Sequence, residues 1–95
     1  MIIAQLSIAP IGKGTSISKY VKIVLETLKK EHVTFETNAM GTVIETEDIK
    51  TLFHVVQRAH EAVVKAGGQR VITELKIDDR RDKEATMKSK LNSLK

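Results

Sequence analysis

The stretch VTFETNAMGTVIE, residues 33–45, decides the fold. It contains two short segments of strand-forming residues, 33–39 and 42–45, separated by a glycine turn at Met40-Gly41, which predicts a β-hairpin. An amphipathic helix is predicted on each side of the hairpin, because apolar residues recur at spacings of three and four. These residues are Ile17, Val21, Val24, Leu25 and Leu28 in the first helix, and Leu52, Val55, Val56, Ala59, Ala62, Val63 and Ala66 in the second.

The outermost predicted elements are strands as well. Residues 2–9 and 70–78 alternate between apolar and polar or smaller residues with a period of two. The resulting order β-α-β-β-α-β is the ferredoxin-like arrangement of the α+β class, with two helices on one face of a four-stranded antiparallel sheet. A short C-terminal helix with the apolar stripe Met87, Leu91 and Leu94 is predicted after the last strand. Residues 1–95 are expected to form a single domain.

Capping residues are predicted at the helix ends. Ser16 or Ser18 is expected to cap the first helix, which runs out near His32, and Asp82 to cap the last. Thr46 or Asp48 is expected at the start of the second helix, and Gly67-Gly68 at its end, where glycine adopts the left-handed conformation that closes a helix.

Composition narrows the range of functions. The chain has 41% hydrophobic and 29% charged residues and no cysteine, which favours a cytoplasmic protein without disulfides. No apolar run approaches the length of a membrane span, and no signal peptide is recognisable. Much of the net charge of +4 comes from residues 80–95, a distribution typical of a solvated helix face, so no nucleic-acid partner is expected.

Strand alternation identifies the sheet face that the two helices leave open. The residues predicted there include Gln5, Ser7, Asn38 and Glu45. We predict that this face, or a subunit interface formed on it, holds a polar pocket for a small molecule. The candidate ligand-binding residues are Gln5, Ser7, Asn38, Thr42 and Glu45. Thr42 and Glu45 are three positions apart, so both reach one ligand only if Thr42 lies in the turn or binds through its backbone.

No motif indicates catalysis, a metal or a cofactor. Gly12-Lys13-Gly14 lacks the further residues of a nucleotide-binding loop and is interpreted as a flexible turn. The three histidines, His32, His54 and His60, do not have the spacing of a zinc site. The charge run 78–82 is interpreted as a solvated loop, with a pocket or subunit contact as the alternative. We therefore expect no catalytic residue, no metal and no cofactor.

Four segments in order resemble a known family. They are Ile8-Ala9-Pro10 leading to Gly14-Thr15-Ser16, then Met40 to Glu45, Arg70 to Thr73, and Lys76 to Lys83. Together they are similar to the thiamine-binding protein family, the small single-domain relatives of the YkoF-like proteins. The resemblance implies a ferredoxin-like fold, a homotetramer built as a dimer of dimers, and binding of thiamine or its hydroxymethylpyrimidine part. It also places Thr42 and Glu45 near the ligand. The chain differs from the expected pattern at Thr46, where glycine is usual, and at Glu74, where a small residue is usual.

Three function classes compete at this point. A small-molecule binding protein that forms a homo-oligomer is favoured over an enzyme. An enzyme on the same fold, acting on a pyrimidine-type substrate, would use Glu45 as its acid or base. An RNA-binding module would need aromatic residues on the central strands. The aromatic residues Tyr20, Phe35 and Phe53 are all predicted elsewhere, which disfavours this class.

Overall fold

A computed structural model describes residues 1–14, 17–83 and 85–95 of the chain. Its elements in chain order are β1 (Ile2–Pro10), α1 (Ser18–Lys30), β2 (Thr34–Asn38), β3 (Gly41–Thr46), α2 (Ile49–Lys65), β4 (Val71–Asp79) and α3 (Met87–Asn92). The sheet order is β2-β3-β1-β4, and every neighbouring pair is antiparallel. The predicted ferredoxin-like α+β fold is confirmed. Strands β1 and β3 are central in the sheet, and β2 and β4 form its two edges.

The hydrophobic core lies between the sheet and the two long helices. Leu6 of β1, Leu28 of α1, Ile44 of β3 and Leu52 of α2 are among its most deeply buried side chains. Cross-strand pairing places Ala4 beside Ile44 and Ile77, so the alternate residues of three strands face the helices together. Because the side-chain period of a strand is two, this register also fixes which residues lie on the open face.

The helix ends agree only in part with the caps predicted from the sequence. Asp48 caps α2 as predicted, since its carboxylate accepts the Thr51 N–H at 2.7 Å, and this bond lowers the pKa of Asp48. Gly67 follows α2 with a φ of 115°, in agreement with the predicted stop. The prediction of Ser18 as the α1 cap is wrong, because the N-cap is Ile17, which makes no side-chain capping bond. The alternative cap, Ser16, lies outside the described residues.

The beginning of α3 also differs from the prediction. Its N-cap is Thr86, whose hydroxyl accepts the Ser89 N–H at 3.0 Å while the Ser89 hydroxyl accepts the Thr86 N–H at 2.8 Å. Asp82 was predicted to cap this helix, but its carboxylate instead accepts from the Arg80 guanidinium at 2.8 Å. A reciprocal capping box engages two backbone donors, and this stabilises a helix of only six residues.

Candidate ligand-binding cleft

A cleft opens where the first turn of α1 meets the tip of the β2–β3 hairpin. Its volume is about 300 Å³. Ligand pockets in proteins begin at about this size, so the cleft can hold one small heteroaromatic ring. Its described lining comes from β1, α1 and the hairpin: Leu6, Ser7, Ile8, Ile17, Ser18, Val21, Val24, Thr37, Asn38, Ala39, Met40, Gly41 and Thr42.

The floor of the cleft is apolar because it is the end of the hydrophobic core. Leu6 and Ile8 reach it from β1 and Val24 from α1, and all three are buried. Val21 lies one helical turn before Leu25 and is half-buried at the wall of the cleft. A flat ring placed on this floor would exchange water for aliphatic contact, which is favourable in proportion to the apolar area covered.

Polar groups surround this floor at the hairpin end. The side-chain Oδ1 of Asn38 accepts the N–H groups of Met40 at 2.8 Å and Gly41 at 3.0 Å, so the side chain closes the turn on itself. These two bonds fix the orientation of the amide and use only its oxygen. Ser7 in the second half of β1 and Thr42 at the beginning of β3 also line the cleft. Strand alternation puts the Thr42 side chain on the helix side of the sheet and the Ser7 side chain on the open side. The arrangement therefore presents short donors and acceptors on a rigid turn.

Gly41 allows the hairpin to lie close to β1. A Cβ atom at this position would stand 3.1 Å from the carbonyl oxygen of Leu6. Thr42 is paired with Leu6 on β1 and with Thr37 on β2, and its side chain faces the helices with only 5% exposure. Thr42 thus reaches the cleft from the side opposite to the open sheet face.

The five residues predicted from sequence do not form one group. Ser7, Asn38 and Thr42 line the cleft together. Gln5 lies on the open face between Val43 and Lys76, and Glu45 lies further along β3 on the same face. The cleft lies at the hairpin end and continues towards the helix-facing side, whereas a separate pocket of about 300 Å³ on the open face is lined by residues that include Gln5, Val43 and Lys76. The predicted pocket on the open face or at a subunit interface stays a prediction. Other lining residues, including Val21, Ser18 and Thr37, were missed because no sequence pattern relates α1 to the hairpin tip.

Glu45 makes a different contact. Its Oε1 accepts the N–H of Met87, the first residue of α3, at 2.5 Å. Around this bond Ile3 and Val43 of the sheet pack against Ala85 and Met87. Glu45 thus fastens the C-terminal segment to the open face, part of which is covered in consequence.

A second contact fastens α3 nearby. The Lys90 ammonium donates to the carboxylate of Asp78, and this bond and the positive charge together lower the pKa of Asp78. The Lys90–Asp78 pair is about half exposed, so it contributes little to stability.

Removing the Glu45 side chain should loosen α3. In Glu45→Ala we expect amide hydrogen exchange in residues 85–95 to accelerate, because a backbone bond to a carboxylate contributes about 1.5–3 kcal/mol. Exchange in β1 and α2 should not change. Glu47→Ala is the matched control, because it removes the same charge at an exposed residue just after the end of β3. Equal exchange rates in both variants and wild type would show that the Glu45 bond does not hold the segment.

The structure describes other polar contacts away from the cleft. Arg81 pairs with Asp79 at 2.9 Å, and Nε2 of His54 lies 2.9 Å from the carboxylate of Glu31. Among the described residues, no group of acidic or histidine side chains could hold a metal ion. Within the same part of the chain, no helix has the length and apolar character needed to span a membrane.

Fold and cleft together define the class of protein. It is a small ferredoxin-like α+β protein with a cleft sized for a small molecule beside its hairpin. A family model described as "Thiamine-binding protein" matches residues 4–95, and the chain belongs to this family.

Relatives with similar sequences cover the whole chain. A UPF0045 protein of Methanothermobacter thermautotrophicus is 48% identical over 100% of this chain and 97% of the relative. The UPF0045 protein YqgV of Bacillus subtilis is 41% identical over 99% of this chain and 94% of the relative.

Solved structures share the fold. A hypothetical protein of Methanocaldococcus jannaschii superposes with a TM-score of 0.90 at 45% identity, covering 98% of this chain and 94% of the other. A candidate thiamine biosynthesis or salvage protein of Thermotoga maritima has a TM-score of 0.83 at 13% identity, covering 99% of this chain and 98% of the other. At that identity the likeness concerns the fold alone.

Proposed function

We propose that this protein binds thiamine or its hydroxymethylpyrimidine part in the cleft between α1 and the β2–β3 hairpin. One observation carries the proposal: in a chain that the thiamine-binding family matches over residues 4–95, an apolar cleft of about 300 Å³ is bordered by Ser7, Asn38 and Thr42. The proposal retains these three of the five residues predicted from sequence. It gives Gln5 and Glu45 no contact with the ligand within one chain.

The chemistry of an aminopyrimidine suits this lining. The apolar faces of its ring can pack against Leu6, Ile8 and Val24. Its amino group donates hydrogen bonds, and its ring nitrogens accept them. The Ser7 and Thr42 hydroxyls can donate or accept, and the Asn38 amide nitrogen can donate. A site built to hydrogen-bond a ligand rejects an analogue that lacks the bonding groups, because buried polar groups then stay unpaired.

The described lining is electrically neutral, which bears on the choice between the two ligands. Its side chains are alkyl, hydroxyl, amide and thioether groups. Such groups hold a neutral pyrimidine but do not offset the positive charge of a thiazolium ring. We therefore propose that the pyrimidine part occupies the cleft and that the thiazolium of thiamine, when present, projects towards solvent. Hydroxyl and amide groups bind rather than transfer protons near neutral pH, so the proposal is one of binding and not of catalysis.

We further propose that the protein works as a homo-oligomer, a tetramer in the arrangement implied by the family resemblance. Support comes from apolar side chains that the single chain leaves exposed, among them Ile72 on the open face and Leu91 and Leu94 in the C-terminal segment. The absence of cysteine supports a cytoplasmic location.

Calorimetric titration tests the proposed function. We expect wild-type protein to release or absorb heat of binding with hydroxymethylpyrimidine and with thiamine, and to show none with the isolated hydroxyethylthiazole. Because the cleft is neutral, the affinity for hydroxymethylpyrimidine should equal or exceed that for thiamine. Binding of the thiazole alone, or of neither pyrimidine compound, would contradict the proposal.

A further inference from the structure

The first turn of α1 forms part of the wall of the cleft and carries free backbone donors. Its N-cap, Ile17, makes no side-chain capping bond, and the turn contains no acidic residue. The first intrahelical bonds are those of the Tyr20 and Val21 N–H groups to the Ile17 carbonyl. The N–H groups of Ser18 and Lys19 precede them and have no acceptor within the described residues. A helix start of this kind attracts an anion, because the free N–H groups lie at the positive end of the helix dipole.

The hydroxyl of Thr42 is a second, independent feature of the same cleft. The residue is only 5% exposed and lines the cleft. In the described part of the chain its hydroxyl has no hydrogen-bond partner, although no polar side-chain atom that is sealed from solvent there lacks one. The oxygen must therefore reach an opening, and the cleft is the opening that Thr42 lines. A hydroxyl at this depth is costly to leave unpaired, so a ligand atom in the cleft is its expected partner.

The charges around this end of the cleft favour a negatively charged ligand group. The described lining contains no carboxylate that would repel an anion. Lys19 in the first turn of α1 adds a positive charge of its own. Ser18 is exposed and also lines the cleft, so the start of α1 lies at the mouth and not at the apolar floor. The cleft thus combines an apolar floor for a ring with a donor-rich mouth.

We propose that the cleft takes the hydroxymethylpyrimidine as its phosphate monoester, with the ring on the apolar floor and the phosphate at the start of α1. The N–H groups of Ser18 and Lys19 and the hydroxyl of Thr42 donate to the phosphate oxygens. Thiamine carries its thiazolium on the same methylene carbon that carries the phosphate in the monoester. The positive helix end favours the phosphate and not the thiazolium cation. This inference rests on the proposed function, because it places the ring in the same cleft.

Calorimetric titration with four compounds tests the preference. We expect the monoester to bind about tenfold or more tightly than the neutral hydroxymethylpyrimidine, because hydrogen bonds to an ionised group are about twice as strong as neutral ones. Inorganic phosphate alone should bind about 100-fold or more weakly than the monoester, since it covers none of the apolar floor. Thiamine should bind no more tightly than the neutral compound. Added salt should reduce the preference for the monoester, because the mouth is open to solvent.

A negative side chain at the start of α1 tests the location. In Ser18→Asp a carboxylate takes the position proposed for the phosphate, so we expect the preference for the monoester over the neutral compound to disappear. The variant should fold, because an acidic residue in the first turn stabilises a helix. Ser93→Asp is the matched control, since it makes the same change at an exposed serine that does not line the cleft. It should keep the wild-type preference.

Removing the Thr42 hydroxyl tests the second donor. Thr42→Val keeps the branched shape of the side chain, and we expect the preference for the monoester to fall by about threefold or more. The ratio of the two affinities is the readout, because repacking alone would lower both affinities together. Thr46→Val is the matched control: Thr46 is also 5% exposed and lies at the other end of β3, where its hydroxyl donates to the Asp48 carbonyl. This variant should leave the ratio unchanged.

The outcomes separate this inference from the proposed function. If neither pyrimidine compound binds, the proposed function fails and the inference fails with it. If the neutral compound binds and the monoester binds equally or more weakly, the phosphate position is wrong while binding in the cleft stands. Inorganic phosphate that binds as tightly as the monoester, or a preference that survives Ser18→Asp, would also overturn the inference alone.

Discussion

Replacing Leu28 with alanine should lower the free energy of unfolding by about 2–5 kcal/mol. Leu28 lies in the last part of α1, is fully buried and belongs to the main core between the helices and the sheet. Truncation removes its transfer free energy and leaves a cavity that rigid neighbours such as Leu52 and Ile44 do not fill. Because a small domain is stable by only about 5–15 kcal/mol, this is a large fraction of the total.

The matched control is Leu94→Ala. It makes the same chemical change at a leucine with 82% of its surface exposed, where we expect an effect within about 0.5 kcal/mol. Urea unfolding followed by circular dichroism measures both. If the two variants had equal midpoints, the core position of Leu28 would be wrong. The control is informative at low protein concentration, where assembly through the C-terminal segment does not contribute.

Filling the cleft should abolish ligand binding. In Val21→Trp an indole replaces an isopropyl group at the wall of a cleft of about 300 Å³, so the pyrimidine ring loses its place on the apolar floor. We expect the dissociation constant for hydroxymethylpyrimidine to rise by about 100-fold or more, which corresponds to about 2.7 kcal/mol. Titration calorimetry measures the change, and thermal unfolding shows that the variant is folded.

The control for this variant is Leu25→Trp. Leu25 is half-buried on the same helix, one turn further on, and does not line the cleft. The Leu25→Trp variant should therefore bind the pyrimidine as the wild type does, although its new tryptophan is equally bulky and lies at a similar depth. Unchanged affinity in Val21→Trp, or an equal loss in Leu25→Trp, would remove the cleft as the binding site.

Much of the fold could be predicted because it depends on local periodicity. Alternation in β1 and β4 and the helical stripes of α1 and α2 each follow from one segment of the chain, and the hairpin turn follows from Met40-Gly41. The caps were less predictable. A capping residue competes with several polar neighbours: Thr86 caps α3, whereas the predicted cap, Asp82, accepts from the Arg80 guanidinium.

The candidate site was predicted only in part, because it is a product of tertiary contacts. Alternation correctly placed Gln5 and Glu45 on the open face, but it could not show that α3 folds back on that face and engages Glu45 through the Met87 N–H. Nor could it show that α1 begins beside the hairpin tip, which brings Val21 next to Asn38 and Thr42. Thr42 was predicted together with Ser7 and Asn38 as a short polar residue beside the turn, and the family resemblance also placed it near the ligand.

We expect the ligand to occupy the cleft beside the hairpin and not the open sheet face. Titration of isotope-labelled protein with hydroxymethylpyrimidine, followed by amide chemical shifts, tests it most directly. The largest shifts should occur at residues 6–8, 17–24 and 37–42, whereas the amides of Gln5, Glu45 and Lys76 should change little. Shifts concentrated at those three open-face positions, with the cleft unaffected, would contradict it.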